Sequence, residues 1–232
     1  MAASTPIPPY VTAAVSDPAR SKDAEADARR HPGELAAFAR VKSGDVVVDL
    51  IPGSGYFTRV FSVIVGPKGH VYAVWPNEYA KEDAESVALT QMLAKDPHYA
   101  NVTVLTQPGA TFSVPVKADV VWTSQNYHDY PDKFMGNIDP KVLNDAVFRA
   151  LKPGGVFVIV DHVAEAGSGM RDTDTLHRID PQTVKEQVMA AGFQFDGETD
   201  VLRNPVDDHR KKVFDASIRG RTDQFGFRFR KP

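Results

Sequence analysis

The sequence predicts a doubly wound α/β fold: a mostly parallel, seven-stranded sheet with helices on both faces, closed by an antiparallel strand pair. Three observations predict it. Short apolar runs alternate with helical stretches from residue 45 to about residue 192. No repeat or linker divides the chain after residue 40. Two strand-like stretches follow, and the strict alternation of the last one implies one buried and one wet face, which suits an antiparallel pair at the sheet edge.

The elements follow in order. Residues 1–16 are uncharged and rich in Ala, Pro, Ser and Thr, and they read as an extended N-terminal arm. Residues 17–232 read as one domain. Asp17 to Arg30 alternates charges on an Ala-rich background, a surface helix that stops before His31-Pro32. Residues 34–40 form a short helix with Leu35 and Phe38 inward. Asp45–Leu50 is a buried strand. Tyr56–Val65 is an amphipathic helix, with Phe57, Val60, Phe61 and Ile64 on one face. His70–Trp75 is the second strand and Tyr79–Ala94 the second helix. Asn101–Thr106 and Ala118–Thr123 are strands three and four. Asp139-Pro140 and Asp180-Pro181 each place an N-cap acid before a proline, the signal of a helix start. Val156–Val160 is strand five. Strand six runs from about Phe195 to Leu202. Strand seven, Gln224–Arg230, alternates Phe225, Phe227 and Phe229 with Gly226, Arg228 and Arg230, predicting one buried and one wet face.

Composition excludes several classes. Among 232 residues, 27 Lys and Arg against 30 Asp and Glu leave a net charge of −3, which argues against a nucleic-acid or membrane-surface protein. The absence of Cys excludes a disulfide framework, a thiolate metal site and a cysteine nucleophile. No apolar run approaches the roughly 20 residues of a membrane span. The start carries no basic residue and no apolar leader. It reads as cytoplasmic, or as periplasmic if a signal peptide has been removed.

The first strand ends in Asp49-Leu50-Ile51-Pro52-Gly53-Ser54-Gly55-Tyr56-Phe57-Thr58. Gly53 and Gly55 permit a tight turn and close approach of a ligand to the backbone, and the next helix offers free N–H groups. An acid at the end of strand one followed by P-G-S-G-Y-F-T resembles motif I of class I S-adenosylmethionine-dependent methyltransferases. Leu151-Lys152-Pro153-Gly154-Gly155 resembles the L-K-P-G-G of that superfamily, and the last two strands its closing pair. The lead-in A-F-A-R-V-K-S-G and the string V-V-D-L-I-P-G-S-G-Y-F-T are most similar to a bacterial predicted-methyltransferase group of undefined substrate. A dinucleotide site fits less well, because Thr58 stands at the third glycine position and Trp75 where an acid belongs.

The resemblance implies a Rossmann-like methyltransferase fold with S-adenosylmethionine as cofactor. It assigns that cofactor to the turn (Asp49, Ile51, Pro52, Gly53, Ser54, Gly55, Tyr56, Phe57, Thr58). Beyond the turn it assigns Trp75 and Asn77 after strand two, Gln107, Pro108 and Gly109 after strand three, and Asn126 after strand four. The sequence departs from the superfamily at three places. After strand three, where the superfamily often has an acid near the adenine amine, it reads Gln107-Pro108-Gly109-Ala110. Ile51 stands where its first glycine belongs. Trp75-Pro76-Asn77 stands where its ribose-binding acid belongs, so that Asn77 or Glu78 could take the ribose and Trp75 could stack on the adenine.

Strand four ends in Ser124-Gln125-Asn126-Tyr127-His128-Asp129, strand five in Asp161-His162, and the next loop holds Asp174 and His177. In the resembled fold both strands lie beside strand one, which gathers His128, Asp129, Asp161, His162 and His177 at the mouth of the site as candidate catalytic residues. A His oriented by a carboxylate suits removal of an acceptor proton near neutral pH. Sequence neighbours do not readily point inward together, so the expected pairs are His128 with Asp161 or His162 with Asp129. His and carboxylate groups would also suit a divalent ion, but no H-x-x-x-H or D-x-D spacing is present and no metal ligand is assigned. The expected function is methyl transfer to a small-molecule oxygen or nitrogen. The alternatives are a repurposed member of the fold using the His/Asp cluster for other acid–base or hydrolytic chemistry, or a degenerate binding module. The insertion at 207–222 reads as a lid or a homo-oligomer contact.

Overall fold

The computed structural model describes residues 6–232. Its strands are β1 Val46–Leu50, β2 His70–Pro76, β3 Val102–Gln107, β4 Ala118–Ser124, β5 Leu151–His162, β6 Gln194–Thr199 and β7 Gln224–Arg230. They form one sheet in the order β3-β2-β1-β4-β5-β7-β6. Strands β1 to β5 are parallel, and β7 runs antiparallel between β5 and β6. The order reverses between β1 and β4, and a crevice opens there at the carboxyl ends of the strands. Strand β4 borders β1 as expected, whereas β5 lies one strand further out.

Alternate residues of the central strands feed two cores. Val48, Leu50, Val121, Phe157 and Ile159 point into one layer, and Val47, Val120, Trp122, Val156 and Val158 into the other. The second layer is filled by the helix Tyr56–Val65, whose Phe57 and Phe61 rings lie 4.6 and 5.4 Å from that of Trp122. The two Asp-Pro starts behave as their chemistry requires. Asp139 accepts from the Lys141 amide and Asp180 from the Gln182 amide, at 2.8 and 2.9 Å, capping the helices Pro140–Ala150 and Pro181–Ala190.

Four expectations change. The N-terminal arm is not extended over its second half: Pro9–Val15 is a helix packed on the helix Tyr56–Val65, with Val11 and Ala14 fully buried. An Ala-rich sequence takes helix readily once a face is offered to it. Residues 1–5 of that arm lie outside the described residues. The helix expected over 17–30 is a 3₁₀ stretch, Pro18–Asp23, followed by Ala24–Arg30. The helix expected over 79–94 is broken into Asn77–Glu82 and Ala84–Leu93, because Asp83 leaves helical geometry and caps the second piece through the Ser86 amide. The wet face of β7 is dry at Arg228, which is 7% exposed. Its guanidinium lies over the Phe38 ring and hydrogen-bonds Asp196, because the helix Pro32–Phe38 covers this side of the sheet.

Candidate active site

A cavity of about 640 Å³ occupies the crevice, within the range of small-molecule sites. One end is the turn after β1. Ile51, Pro52, Gly53, Ser54, Tyr56 and Phe57 line it, together with Asp49. Gly53 and Gly55 both have positive φ, 56° and 82°. The two glycines serve different ends. A Cβ on Gly55 would come within 2.9 Å of Leu93, so this residue lets the helix layer close. A Cβ on Gly53 would meet nothing within 4 Å, because it would project into open space at the cavity. Ile51 also has positive φ, 53°, a conformation that suits the glycine the resembled motif carries there and is costly for a β-branched residue. Gln125 and His177, which also line the cavity, share this strain, with φ of 67° and 55°.

Asp49 is 2% exposed and accepts a 2.6 Å hydrogen bond from the Thr58 hydroxyl. Burial raises its pKa to about 7, with the Thr58 bond and the nearby Arg30 charge opposing the rise. Arg30 is a site residue that the sequence did not flag. Its guanidinium lies over the Tyr56 ring at 4.3 Å and near Phe57 at 5.1 Å, and it lines the cavity. Among the described residues it makes no ion pair within 4 Å, though the Asp49 and Asp23 charges act on it from further off.

The expected cofactor residues after β2 and β3 are placed differently. Trp75 is fully buried and donates its indole N–H to Thr90 at 2.9 Å, so its ring is turned away from the crevice. The aromatic wall is supplied instead by Tyr79 and Phe134, whose rings are 5.6 Å apart. Asn77, Gln107, Pro108, Gly109, Gly55 and Thr58 do not line the cavity. Glu78 is occupied by the Gly109 amide at 3.0 Å, which ties the loop after β3 to the helix after β2. The carboxylates on this side of the cavity are Glu82 and Asp83, at the helix break that the sequence did not reveal.

The other end holds the polar cluster. Asn126, His128, Asp129, His162 and His177 all line the cavity. Asp161, fully buried, accepts three hydrogen bonds: from Nδ1 and the backbone amide of His128 at 2.8 and 2.9 Å, and from the His162 amide at 2.7 Å. The cross-strand pair His128–Asp161 thus forms as expected. His162 does not pair with Asp129; its Nδ1 meets the Thr222 hydroxyl at 2.8 Å. The expectation that neighbours cannot share the interior fails at His128 and Asp129. Residues 127–129 form a single 3₁₀ turn, which swings both side chains to one side, with Nε2 of His128 3.2 Å from Oδ1 of Asp129.

Burial opposes a charge on His128, but Asp161 and Asp129 outweigh it and its pKa rises well above the ordinary value. Burial lowers His162 to about 3, so this ring stays neutral. Burial works against Asp129 as well, yet the His128 and His177 rings hold it well below the usual carboxylate range.

The 207–222 insertion forms a wall of the site. Lys212, Val213 and Phe214 line the cavity, and the Phe214 ring lies 5.0 Å from His177. Buried Arg178 pins the segment. It pairs with Asp207 at 2.9 Å and donates to the carbonyls of Lys211 and Val163. Among the described residues no helix is long and apolar enough to cross a membrane.

Over 125 residues the chain is 32% identical to a protein-L-isoaspartate O-methyltransferase of Ignicoccus hospitalis, a match covering 54% of this chain and 51% of that protein. It is 30% identical over 128 residues to the enzyme of the same description from Methanosarcina mazei, covering 54% and 44%. It is 28% identical over 135 residues to the ubiquinone/menaquinone biosynthesis C-methyltransferase UbiE of Hydrogenovibrio crunogenus, covering 57% and 47%. The chain thus spans about half the length of the curated relatives it matches. No family model matches it. Among solved structures, a SAM-dependent methyltransferase from Aquifex aeolicus superimposes with a TM-score of 0.64 at 19% identity, covering 94% of this chain and 95% of that one. The [4+2]-cyclase SpnF gives 0.66 at 17% identity, covering 88% and 82%. The glycopeptide N-methyltransferase MtfA, complexed with sinefungin, gives 0.59 at 17% identity, covering 88% and 86%. The fold is that of the class I S-adenosylmethionine-dependent methyltransferases.

Proposed function

We propose that this chain transfers a methyl group from S-adenosylmethionine to an oxygen or nitrogen of a small molecule. The observation that carries the reading is one continuous cavity with the glycine turn at one end and the His/Asp cluster at the other. Methyl transfer is an in-line displacement, and the protein's main task is to hold donor and acceptor about 3–3.5 Å apart. In this reading the methionine end of the cofactor lies on the turn. Its carboxylate meets Arg30, which makes no ion pair among the described residues, and its ammonium and sulfonium charges favour the ionised form of Asp49. The adenine lies against Tyr79 and Phe134, and the ribose hydroxyls reach Glu82 or Asp83. The acceptor lies against His128, Asp129 and His177, and its proton passes to the His177 ring or to solvent as the methyl group arrives. The cavity's size and the cover given by Lys212–Phe214 favour a small acceptor over a protein chain.

A second reading keeps the cofactor and changes the chemistry. It is favoured by Ile51 in the motif I turn and by a cyclase among the chains of this fold, since fold alone does not fix the reaction.

The test is incubation with methyl-labelled S-adenosylmethionine and a panel of phenols, carboxylates, amines and an isoaspartyl peptide, following S-adenosylhomocysteine. We expect product with a small hydroxyl or amine and none with the peptide. Binding of the cofactor without turnover on any acceptor favours the second reading. Failure to bind the cofactor refutes both.

A further inference from the structure

Three donor atoms converge on one point of the cavity wall. Oδ1 of Asp129 lies 3.2 Å from Nε2 of His128 and 3.5 Å from Nδ1 of His177, and the two ring nitrogens are 3.3 Å apart. The geometry points to a binding site for one divalent transition-metal ion, held by His128, Asp129 and His177, with an open position for an oxygen donor. An ion with bonds of about 2.05 Å in tetrahedral coordination separates its ligand atoms by about 3.3 Å. The three observed edges match that spacing. An ion at about 2.05 Å from all three atoms stands about 0.7 Å out of their plane, the height of a regular tetrahedral site.

The surroundings agree. Ligating imidazoles commonly donate their second nitrogen to a carboxylate, which fixes the tautomer and the ring orientation. Asp161 does this for His128: it takes the Nδ1 proton at 2.8 Å and also holds the residue's backbone amide, leaving Nε2 to face the triangle. His177 is 22% exposed at its side chain and is backed by the Phe214 ring, so the site is walled but reachable. Two imidazoles and a carboxylate without thiolate suit zinc, cobalt, iron or manganese better than the all-oxygen preference of magnesium or calcium. Three protein ligands with a fourth position free is the pattern of a catalytic ion.

The ligand class follows from the open position, which takes a phenol, hydroxyl or carboxylate oxygen. Resting on the methyl-transfer reading, this narrows the acceptor to oxygen. The bound ion polarises the O–H bond, the proton leaves to solvent, and the oxygen lone pair forms the new bond to the methyl carbon as the C–S bond to the sulfonium breaks. The metal site itself requires no cofactor.

The full chain, stripped with a chelator, is titrated with Zn²⁺ alone by calorimetry and with Co²⁺ followed by its visible spectrum. The expected result is one ion per chain and the intense bands of tetrahedral Co²⁺. His177→Ala should weaken Zn²⁺ binding at least about 100-fold. Asp161→Asn should weaken it roughly 10–100-fold through the ring it orients. His98→Ala, an exposed histidine beside Asp17, should change nothing. Circular dichroism checks folding, and Asp129→Asn replaces any variant that does not fold. No saturable binding, or binding that survives both His177→Ala and Asp129→Asn, overturns the site. Loss of binding in His98→Ala reveals a surface ion only and overturns it equally. A chain that binds Zn²⁺ but not S-adenosylmethionine keeps this site and loses the proposed function; the reverse result does the opposite.

Discussion

Affinity for S-adenosylmethionine should depend on the ionisation of Asp49, and Asp49→Asn isolates that dependence. The carboxyl is 2% exposed, and burial raises its pKa to about 7 against the Thr58 bond and the Arg30 charge. The ionised form is the one that attracts a cationic ligand. At pH 6 about one chain in eleven carries it, and at pH 8 about ten in eleven, so the apparent Kd should fall about tenfold over that interval. Binding at pH 6 should release close to one proton, measurable by calorimetry in two buffers of different ionisation enthalpy. Asparagine keeps an acceptor for the Thr58 hydroxyl but cannot ionise. Its Kd at pH 8 should be weaker than that of the parent, and the Asp49 part of the pH slope should vanish. Stability changes with the opposite sign. A carboxyl with a raised folded pKa contributes stability that is complete below about pH 4 and lost as pH rises through about 7. A rise of about three pH units corresponds to on the order of 4 kcal/mol. The parent without ligand should therefore melt lower at pH 8 than at pH 5, and Asp49→Asn should flatten this slope. Equal pH slopes of cofactor affinity in the parent and the variant would refute the reasoning.

Two further outcomes follow from backbone and burial. At position 51, glycine should be more stable than alanine by about 1–2 kcal/mol, reversing the usual order, because φ is 53° there; chemical denaturation of Ile51→Gly and Ile51→Ala checks it, and alanine at or above glycine contradicts the strain. Arg178→Ala should cost roughly 3–5 kcal/mol by stranding buried Asp207. That loss corresponds to a melting drop of about 10 °C and should expose the 207–222 segment to limited proteolysis. A drop below about 3 °C with an uncut insertion would show that Arg178 does not anchor this wall.

Much of the fold could be read from the chain because local and global signals agree. The apolar runs, the Asp-Pro caps at 139 and 180 and the glycine turn at 53–55 each fix a local geometry, and all survive in the sheet. What escaped reading depends on tertiary partners. Pro9–Val15 is helical because the helix Tyr56–Val65 offers it a face, and Arg228 is dry because Phe38 lies over it. Trp75 sits at the end of a strand like a ligand residue, yet Thr90 captures its N–H from inside the helix layer. Within the site, the turn and the His128–Asp161 pair were legible, since each rests on strand ends that the fold aligns. The gathering of His177 at the same mouth was legible too, but its direct contact with His128 was not, because 49 residues and a left-handed backbone at His177 separate them from any spacing rule. Arg30 left no signal, since its role comes from the rings of Tyr56 and Phe57 beneath it.

The measurement that tests the central claim most directly is calorimetric titration of S-adenosylmethionine and S-adenosylhomocysteine into the parent chain and Gly53→Val. Gly53 faces open space at the cavity, so a valine there fills the ground the methionine moiety would take. Its φ of 56° also costs the folded chain about 1–2 kcal/mol. The account predicts one saturable site in the parent and affinity at least about tenfold weaker in the folded variant. No binding to the parent, or unchanged binding in Gly53→Val, would contradict it.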